Sequence, residues 1–415
     1  MTQETLRSRD EVEAFIGGVC FKTGPPRHIG IESEWLVTDV RHPGRHVPPS
    51  HTKSVLSNTS LPHNSSLTFE PGGQFELSTI CQPSLGEACQ ALREDLSAAT
   101  RSLSGQGLAL QGLGADPARS PRLFSRDPRY QAMATYFSRR GPDGVAMMAS
   151  TAATQVCLDS GSSSHEIADR WRRAHTLVPL LSAVFANSPW LHGQLTGSHS
   201  ARLSIWSRID PSRTRAVGGL DPVSAWAAYA LAAPVMVVRS ADGPWRTDPG
   251  FTFAEWMRQP TGPSPDDLAY HLTTLFPPVR PQAWLEIRCI DALPDHQWPV
   301  AVAFAAVLLD HPRASDLAEE ACQPLHNLHL EAVRGGLTHR ELAQAAKTCG
   351  ELVVHHMDDL AVDPLTAGQV EAFLDTFTMR ARCPADLATR PTHNGVVRTT
   401  DPRCQPDDWA KEVSA

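Results

Sequence analysis

The sequence has no block of lysines and arginines, and its formal net charge is −8. A nucleic-acid partner needs a concentrated basic face to neutralise phosphates, so that class is disfavoured. The acidity reads as ordinary solvated surface and implies no cationic partner. Long apolar runs are missing too. One of the longest, Ala225 to Val238, is interrupted by Pro234 and too short to span a bilayer, and Met1 to Asp10 is too polar for a signal peptide. No membrane association is expected. The nine cysteines include no CxxC pair and no even framework, which argues against oxidising export and for a cytoplasmic protein with free thiols. Neither GxxxxGK[ST] nor a strand-linked GxGxxG occurs, so there is no glycine-rich phosphate loop. Internal repeats and low-complexity blocks are likewise absent.

What remains is a chain of 415 residues, 41% of them hydrophobic, which is ample for a large core. No long linker divides it. Gly24 to Pro26 and Thr261 to Pro265 read as short loops, so residues 1–384 are expected to form one domain. Residues 385–415 have several prolines and few apolar residues, and are expected to be a flexible tail. Ser8 to Gly17 reads as a short capped helix. Ile29, Ile31, Trp35 and Val37 alternate, which predicts a half-buried strand. Residues 41–64 read as a long loop. Leu67 to Ser78 predicts a strand pair around the turn signal Pro71-Gly72-Gly73. Leu85 to Leu103 and Glu166 to Phe185 have helical spacing. Met148 to Asp159, Arg202 to Trp206 and Ala283 to Cys289 read as strands, and the chain from about 298 to 382 as helices. Strands segregated from helices imply an α+β fold with a helical C-terminal third.

Acids inside the predicted strands carry the chemistry. Side chains alternate between faces, so Glu32 and Glu34 share one, roughly 7 Å apart. Ile31 and Trp35 fill the other. Glu76 shares its face with Gln74 and Ser78, Glu70 closes the preceding strand, and Glu286 shares a face with Trp284 and Arg288. Charges on a sheet are costly unless water, partners or a metal compensate them. Mg²⁺ takes hard oxygen ligands and suits carboxylates together with substrate phosphates. The spacing alone leaves a ligase, a two-metal hydrolase and a glycosidase with paired carboxylates all open. Other features are weaker. His355 and His356 are neighbours in a helix and do not share a face. Cys157 and Cys289 read as small core fillers, and Asp267 as a helix start.

Four segments resemble a known family. Gly30-Ile31-Glu32-Ser33-Glu34-Trp35 and Phe69-Glu70-Pro71-Gly72-Gly73-Gln74-Phe75-Glu76-Leu77-Ser78 look like strand motifs of the plant- and bacterial-type glutamate–cysteine ligases. Met147-Met148 through Thr151, Gln155 and Leu158-Asp159 resembles the next strand, and Trp284-Leu285-Glu286-Ile287-Arg288 a later acidic one. The matches come in family order. The Glu-Pro-Gly-Gly-Gln-x-Glu string is the specific one. Phe69 to Leu85, and Arg202 to Arg213 with Trp206 and Asp210-Pro211, resemble the actinobacterial enzymes that make γ-glutamylcysteine for ergothioneine synthesis. Cys289, Ala149 and Ala152-Ala153 depart from the pattern and bear on the choice of amine.

The resemblance implies a glutamine-synthetase-like curved antiparallel β-sheet with flanking helices, whose concave face holds ATP and Mg²⁺, with Mn²⁺ as a substitute. It implies Glu32, Glu34, Glu70, Glu76 and Glu286 as metal ligands. Gln155, Thr151, Arg202, Trp206 and Arg213 would contact substrate, and Glu76, Arg288 and Arg202 would act in catalysis. The implied substrates are ATP, L-glutamate and L-cysteine, joined through a γ-glutamyl phosphate. A different amine acceptor, a non-catalytic nucleotide or amino-acid binding protein on the same scaffold, and a metal hydrolase remain as alternatives.

Overall fold

The computed structural model describes residues 5–23, 27–240 and 245–388. Seven strands form one sheet: β1 (Ile29–Asp39), β2 (Ser66–Phe69), β3 (Phe75–Ser78), β4 (Leu108–Gln111), β5 (Ala153–Asp159), β6 (Val279–Pro281) and β7 (Trp284–Asp291). The order is β6-β7-β5-β1-β3-β2, with β4 also paired to β1, and every pairing is antiparallel. The expected α+β architecture is the one observed.

The alternation along β1 sets the two faces. Ile29, Ile31, Ser33, Trp35 and Val37 are buried on one side, while Glu32 and Glu34 are half-buried on the other. Behind the apolar face lie the helices Leu85–Ser104, Ser164–Val184 and Trp298–Asp310. Every residue of Trp298–Asp310 is buried, as expected of a helix that is hydrophobic all round. It packs on β5 and against the other two helices. Pro312–Cys322, His329–Gly335 and Arg340–His356 gather around Ser164–Val184. The helical C-terminal third therefore backs the sheet.

Three expectations need correction. Residues 41–64 contain the helix Pro49–Leu56, started by a proline at its first position, where a missing N–H is harmless. Met148 to Ser150 end the helix Asp143–Ser150, and β5 begins only at Ala153. Arg202 to Trp206 lie in the helix Ala201–Ile209, not a strand. Ser200 caps that helix by accepting the Leu203 N–H, and Asp210-Pro211 ends it. Five residues are too few to separate a period of 2 from one of 3.6. Positions four apart share a face in either case, so Arg202 and Trp206 stand side by side on this helix as they would on a strand.

The 3-10 turn Pro384–Leu387 is tied back by Ala385 N–H to the Ala186 carbonyl and by His199 to Asp386, so ordered chain continues past the expected boundary at 384. Residues 24–26 and the expected tail from 389 onward lie outside the described residues. Among the described residues, no helix is long and apolar enough to cross a membrane.

Candidate active site

Strand register assembles the site. Glu34 on β1 stands directly opposite Glu76 on β3, and Glu76 opposite Thr68 on β2. Glu32 stands opposite Gln155 on β5, and Glu286 on β7 opposite Arg280 on β6. Carboxylate oxygens of Glu32, Glu34 and Glu76 fall within 4.8 Å of one another. Like charges directly across a strand pair repel, so this grouping is unfavourable without a cation.

The environment of each acid follows from that crowding. Burial and then the charges of Glu76 and Glu286 push the Glu32 carboxyl up to about 7. Glu34 is raised well above the usual carboxylate range by burial, Glu70 and Glu76. Glu70 is pushed up to about 8 by burial and its neighbours Glu76 and Glu32. Glu76 is raised by burial, against the hydrogen bonds from Thr68 and Glu70. Neutral hydrogen bonds hold the set in shape. Gln155 Nε2 donates to Glu32 at 2.6 Å and to Glu34 at 3.3 Å, and the Ala153 N–H donates to Glu34 at 2.9 Å. Hard oxygen donors confined by mutual repulsion fit a divalent cation such as Mg²⁺.

Glu286, expected among the metal ligands, is held by two arginines. Arg280 reaches it with Nε at 2.7 Å and Nη2 at 3.2 Å, and Arg288 with Nη1 at 2.8 Å. Burial alone would raise this carboxyl, but the two guanidinium groups overcome it and hold the group at about 2. It binds Arg288, which also donates to the Gln155 side-chain oxygen. Arg280 was missed in the sequence. Its strand has three residues, with Pro277, Pro278 and Pro281 around it, so no periodicity can be read there.

Arg288 links the carboxylates to a cavity of about 220 Å³ whose walls include Arg202 and Trp206. Both guanidinium groups lie by the indole of Trp206, at 5.7 Å for Arg202 and 5.9 Å for Arg288. Arg202 is positioned by the Arg288 carbonyl at 2.8 Å and by Asp291 at 3.7 Å. Asp291 in turn accepts hydrogen bonds from the Asn187 N–H, Ser188 and Ser200. Arg288 Nε and Trp206 Nε1 are buried beside this cavity without a hydrogen-bond partner, and Arg202 Nη1 has only the 3.7 Å ion pair with Asp291. Buried donors are ordinarily satisfied, so two arginines with incompletely satisfied nitrogens lining one cavity fit an anionic ligand.

Two expected substrate contacts do not reach the site. Arg213 is fully buried, and its nitrogens are taken by Asp210, Tyr136, Thr274 and the Pro234 carbonyl. It is a structural node. The Thr151 hydroxyl donates to the Met147 carbonyl at 2.6 Å, and its own carbonyl accepts from Gln74 Nε2 at 2.8 Å. This explains the Pro-Gly-Gly-Gln turn. Gln74 binds the carbonyls of Met148 and Thr151, and a Cβ on Gly72 would stand 2.4 Å from the Ala149 carbonyl oxygen. Gly73 has φ +90°, a region that favours glycine. The turn seats β3 on the helix-to-strand junction before β5. Cys289 is a core residue as expected, but Cys157 lies opposite Glu286 on the acidic face. Burial, Glu286 and Glu32 raise its thiol, so it stays neutral.

The His356 ring touches both His355 and His311, with centroids 4.6 Å and 4.1 Å away, and faces Asp359. His311 Nε2 and His356 Nδ1 stand 3.2 Å and 3.4 Å from one Asp359 oxygen. His311 Nδ1 accepts the Ala314 N–H, so in the neutral ring Nε2 carries the proton and donates it.

Residues 28–378 match the model of Glutamate-cysteine ligase family 2. The chain is 39% identical over 390 residues to the glutamate–cysteine ligase EgtA of Mycolicibacterium smegmatis, covering 91% of this chain and 90% of that protein. It is 38% identical over 388 residues to EgtA of Mycobacterium tuberculosis, covering 90% and 88%. A crystal structure of the Francisella tularensis glutamate–cysteine ligase in complex with AMP matches with a TM-score of 0.52 at 14% identity, over 90% of this chain and 87% of that one, and so shares the fold. The matched span contains the entire acidic sheet face, and the chain belongs to glutamate–cysteine ligase family 2, as an ATP-dependent ligase.

Proposed function

We propose that the protein joins the γ-carboxylate of L-glutamate to the amine of L-cysteine at the expense of ATP, giving γ-glutamylcysteine, ADP and phosphate, in the cytoplasm and for ergothioneine biosynthesis. The observation that carries the reading is the junction at Arg288. One side of this guanidinium is held by Glu286 and Gln155 beside the carboxylate cluster. The other leaves Nε unpaired, with Arg202 and Trp206 also lining the cavity. A phosphate-handling floor and an anion-binding cavity thus share one residue.

In the reaction a γ-carboxylate oxygen attacks the γ-phosphorus, the bond to ADP breaks, and an acyl phosphate forms. The amine then attacks the acyl carbon, loses its proton and expels phosphate. Both partners in the first step are anionic, so catalysis rests on charge compensation and alignment. Glu32, Glu34 and Glu76, with Glu70 beside them, would hold the divalent cation, proposed as Mg²⁺, whose chemistry is neutralisation of the triphosphate. Arg288 and Arg202 would orient the phosphoryl and carboxyl groups, the planar fork of each suiting two oxygens at once. Gln155 keeps Glu32 and Glu34 aligned, and Glu286 keeps Arg288 extended towards them.

The test is ADP release by the purified protein with ATP, Mg²⁺ and glutamate, with and without cysteine, and with Glu76→Gln alongside. Cysteine-stimulated release, γ-glutamylcysteine as product and an inactive variant are the expected result. Release that requires another amine would overturn the choice of acceptor. No release with any amine in a broad panel would overturn the ligation itself.

A further inference from the structure

The turn Pro384–Leu387 brings together a second set of ligating groups, outside the carboxylate cluster. His199, Cys383 and Asp386 each offer one ligand atom, and the three atoms lie within 4.8 Å of one another. His199 Nε2 stands 3.0 Å from Asp386 Oδ1. Asp386 Oδ2 accepts the Cys383 N–H at 2.8 Å, which leaves Oδ1 for the cluster. Cys383 is fully buried, whereas the side chains of His199 and Asp386 keep 24% and 25% of their surface exposed. An ion can therefore reach the group from solvent, with the sulfur as its inner ligand.

The surroundings of the three atoms suit a metal. His199 Nδ1 stands 2.8 Å from the Arg334 carbonyl, which can only accept, so Nδ1 carries the proton. In the neutral ring the Nε2 lone pair is then free beside Asp386 Oδ1. A backbone carbonyl on the other ring nitrogen is the usual support of a metal-bound imidazole. His311 has the reverse arrangement: its Nδ1 accepts a backbone N–H, so its Nε2 has no lone pair to give. The Cys383 sulfur accepts the Asp386 N–H, a bond that strengthens when the sulfur is a thiolate. Room for the sulfur depends on Gly336, where a Cβ would stand 2.7 Å from Cys383 Sγ.

We propose that His199, Cys383 and Asp386 bind a divalent cation of borderline softness, Zn²⁺, with water completing its coordination. One imidazole nitrogen, one thiolate sulfur and one carboxylate oxygen suit Zn²⁺, whereas Mg²⁺ takes oxygen ligands and belongs with the glutamates of the sheet. Tetrahedral Zn²⁺ sets its nitrogen and sulfur ligands about 3.5 Å apart, so the atoms need to close by little more than about 1 Å. As the metal–sulfur bond forms, the thiol proton leaves to solvent. The cation also takes the place of any proton held between His199 and Asp386. It would join the turn Pro384–Leu387 to the segment leading into Ala201–Ile209, the helix that carries Arg202. The inference is independent of the ligase reading.

The experiment titrates the full chain, first stripped with a chelator, with Co²⁺ as an optical reporter and then with Zn²⁺ or Mg²⁺ as competitor. It uses wild type, Cys383→Ser and His199→Gln, with a thermal melt of each. Wild type should show a thiolate-to-metal charge-transfer band in the near ultraviolet that saturates at a single equivalent. Zn²⁺ should abolish the band, Mg²⁺ should not, and Zn²⁺ should raise the melting temperature. Cys383→Ser should lose the band. Both variants should bind Zn²⁺ more weakly by more than the about 10- to 100-fold that changes in outer-shell partners cost. A wild type without the band has a plain His199–Asp386 ion pair there, which overturns the proposal. A band that persists in Cys383→Ser belongs to another thiol and overturns it too. If that variant does not fold, His199→Gln, changed at a partly exposed position, decides: an undiminished band at unchanged affinity refutes the site.

Discussion

Replacing Glu32 with Gln should stabilise the protein, although it removes a residue of the proposed metal cluster. Glu32 titrates at about 7 in the folded chain against 4.5 for a solvated carboxyl. Below pH 4.5 both states are protonated and the site costs nothing. Between 4.5 and about 7 the unfolded chain releases a proton that the folded chain still holds, so the fold loses stability as pH rises. Above about 7 the full penalty, about 3 kcal/mol, is in place. The Glu32→Gln side chain keeps a carbonyl oxygen for the 2.6 Å bond from Gln155 and lacks the charge. In EDTA, the variant should gain about 2–3 kcal/mol over wild type at pH 8, and the gain should fade towards pH 4.5. Adding Mg²⁺ and ATP should raise the melting temperature of wild type and leave that of the variant nearly unchanged. Urea or thermal unfolding across pH 4.5 to 8 measures all of this. Equal or lower stability of the variant at pH 8 in EDTA would refute the claim that the acids strain one another.

Glu286→Gln should do the opposite. Its carboxyl sits at about 2, so it stabilises the fold above pH 4.5 and loses that effect as pH falls through about 2. Its loss should cost about 3 kcal/mol at neutral pH, because two buried guanidinium groups are left without their shared anion. Arg288→Lys should lower kcat by about 10²-fold or more in the ADP-release assay, since one ammonium cannot serve Glu286, Gln155 and a substrate anion together. Arg213→Met should destabilise by about 3 kcal/mol, stranding Asp210, while KM for glutamate in the folded fraction stays as in wild type. Gly72→Ala should lower the melting temperature and the rate together, because the new methyl group meets the Ala149 backbone at 2.4 Å.

The acidic face was legible in the sequence because a strand has a period of 2. Glu32, Glu34, Glu76 and Glu286 each stand between core residues, and no other placement keeps those neighbours buried. The Pro-Gly-Gly turn was legible for a similar reason, since its conformation admits few residue types. Arg202 and Trp206 share a face on the observed helix as they would on the expected strand, because a spacing of four is common to both periods.

What the sequence could not decide was which charges meet. Glu286 and Glu76 stand on faces of the same character, and nothing local distinguishes a clamped carboxylate from an open one. The difference comes from Arg280 on an adjoining three-residue strand, six residues away in sequence but directly opposite in register. Arg213 looked like a substrate contact until Tyr136, Thr274 and Pro234 closed on it from separate parts of the chain. Alternation, turns and composition are properties of neighbouring residues, and the sequence by itself determined them. Pairing and desolvation depend on groups brought from distant parts of the chain, and only the tertiary structure decided those.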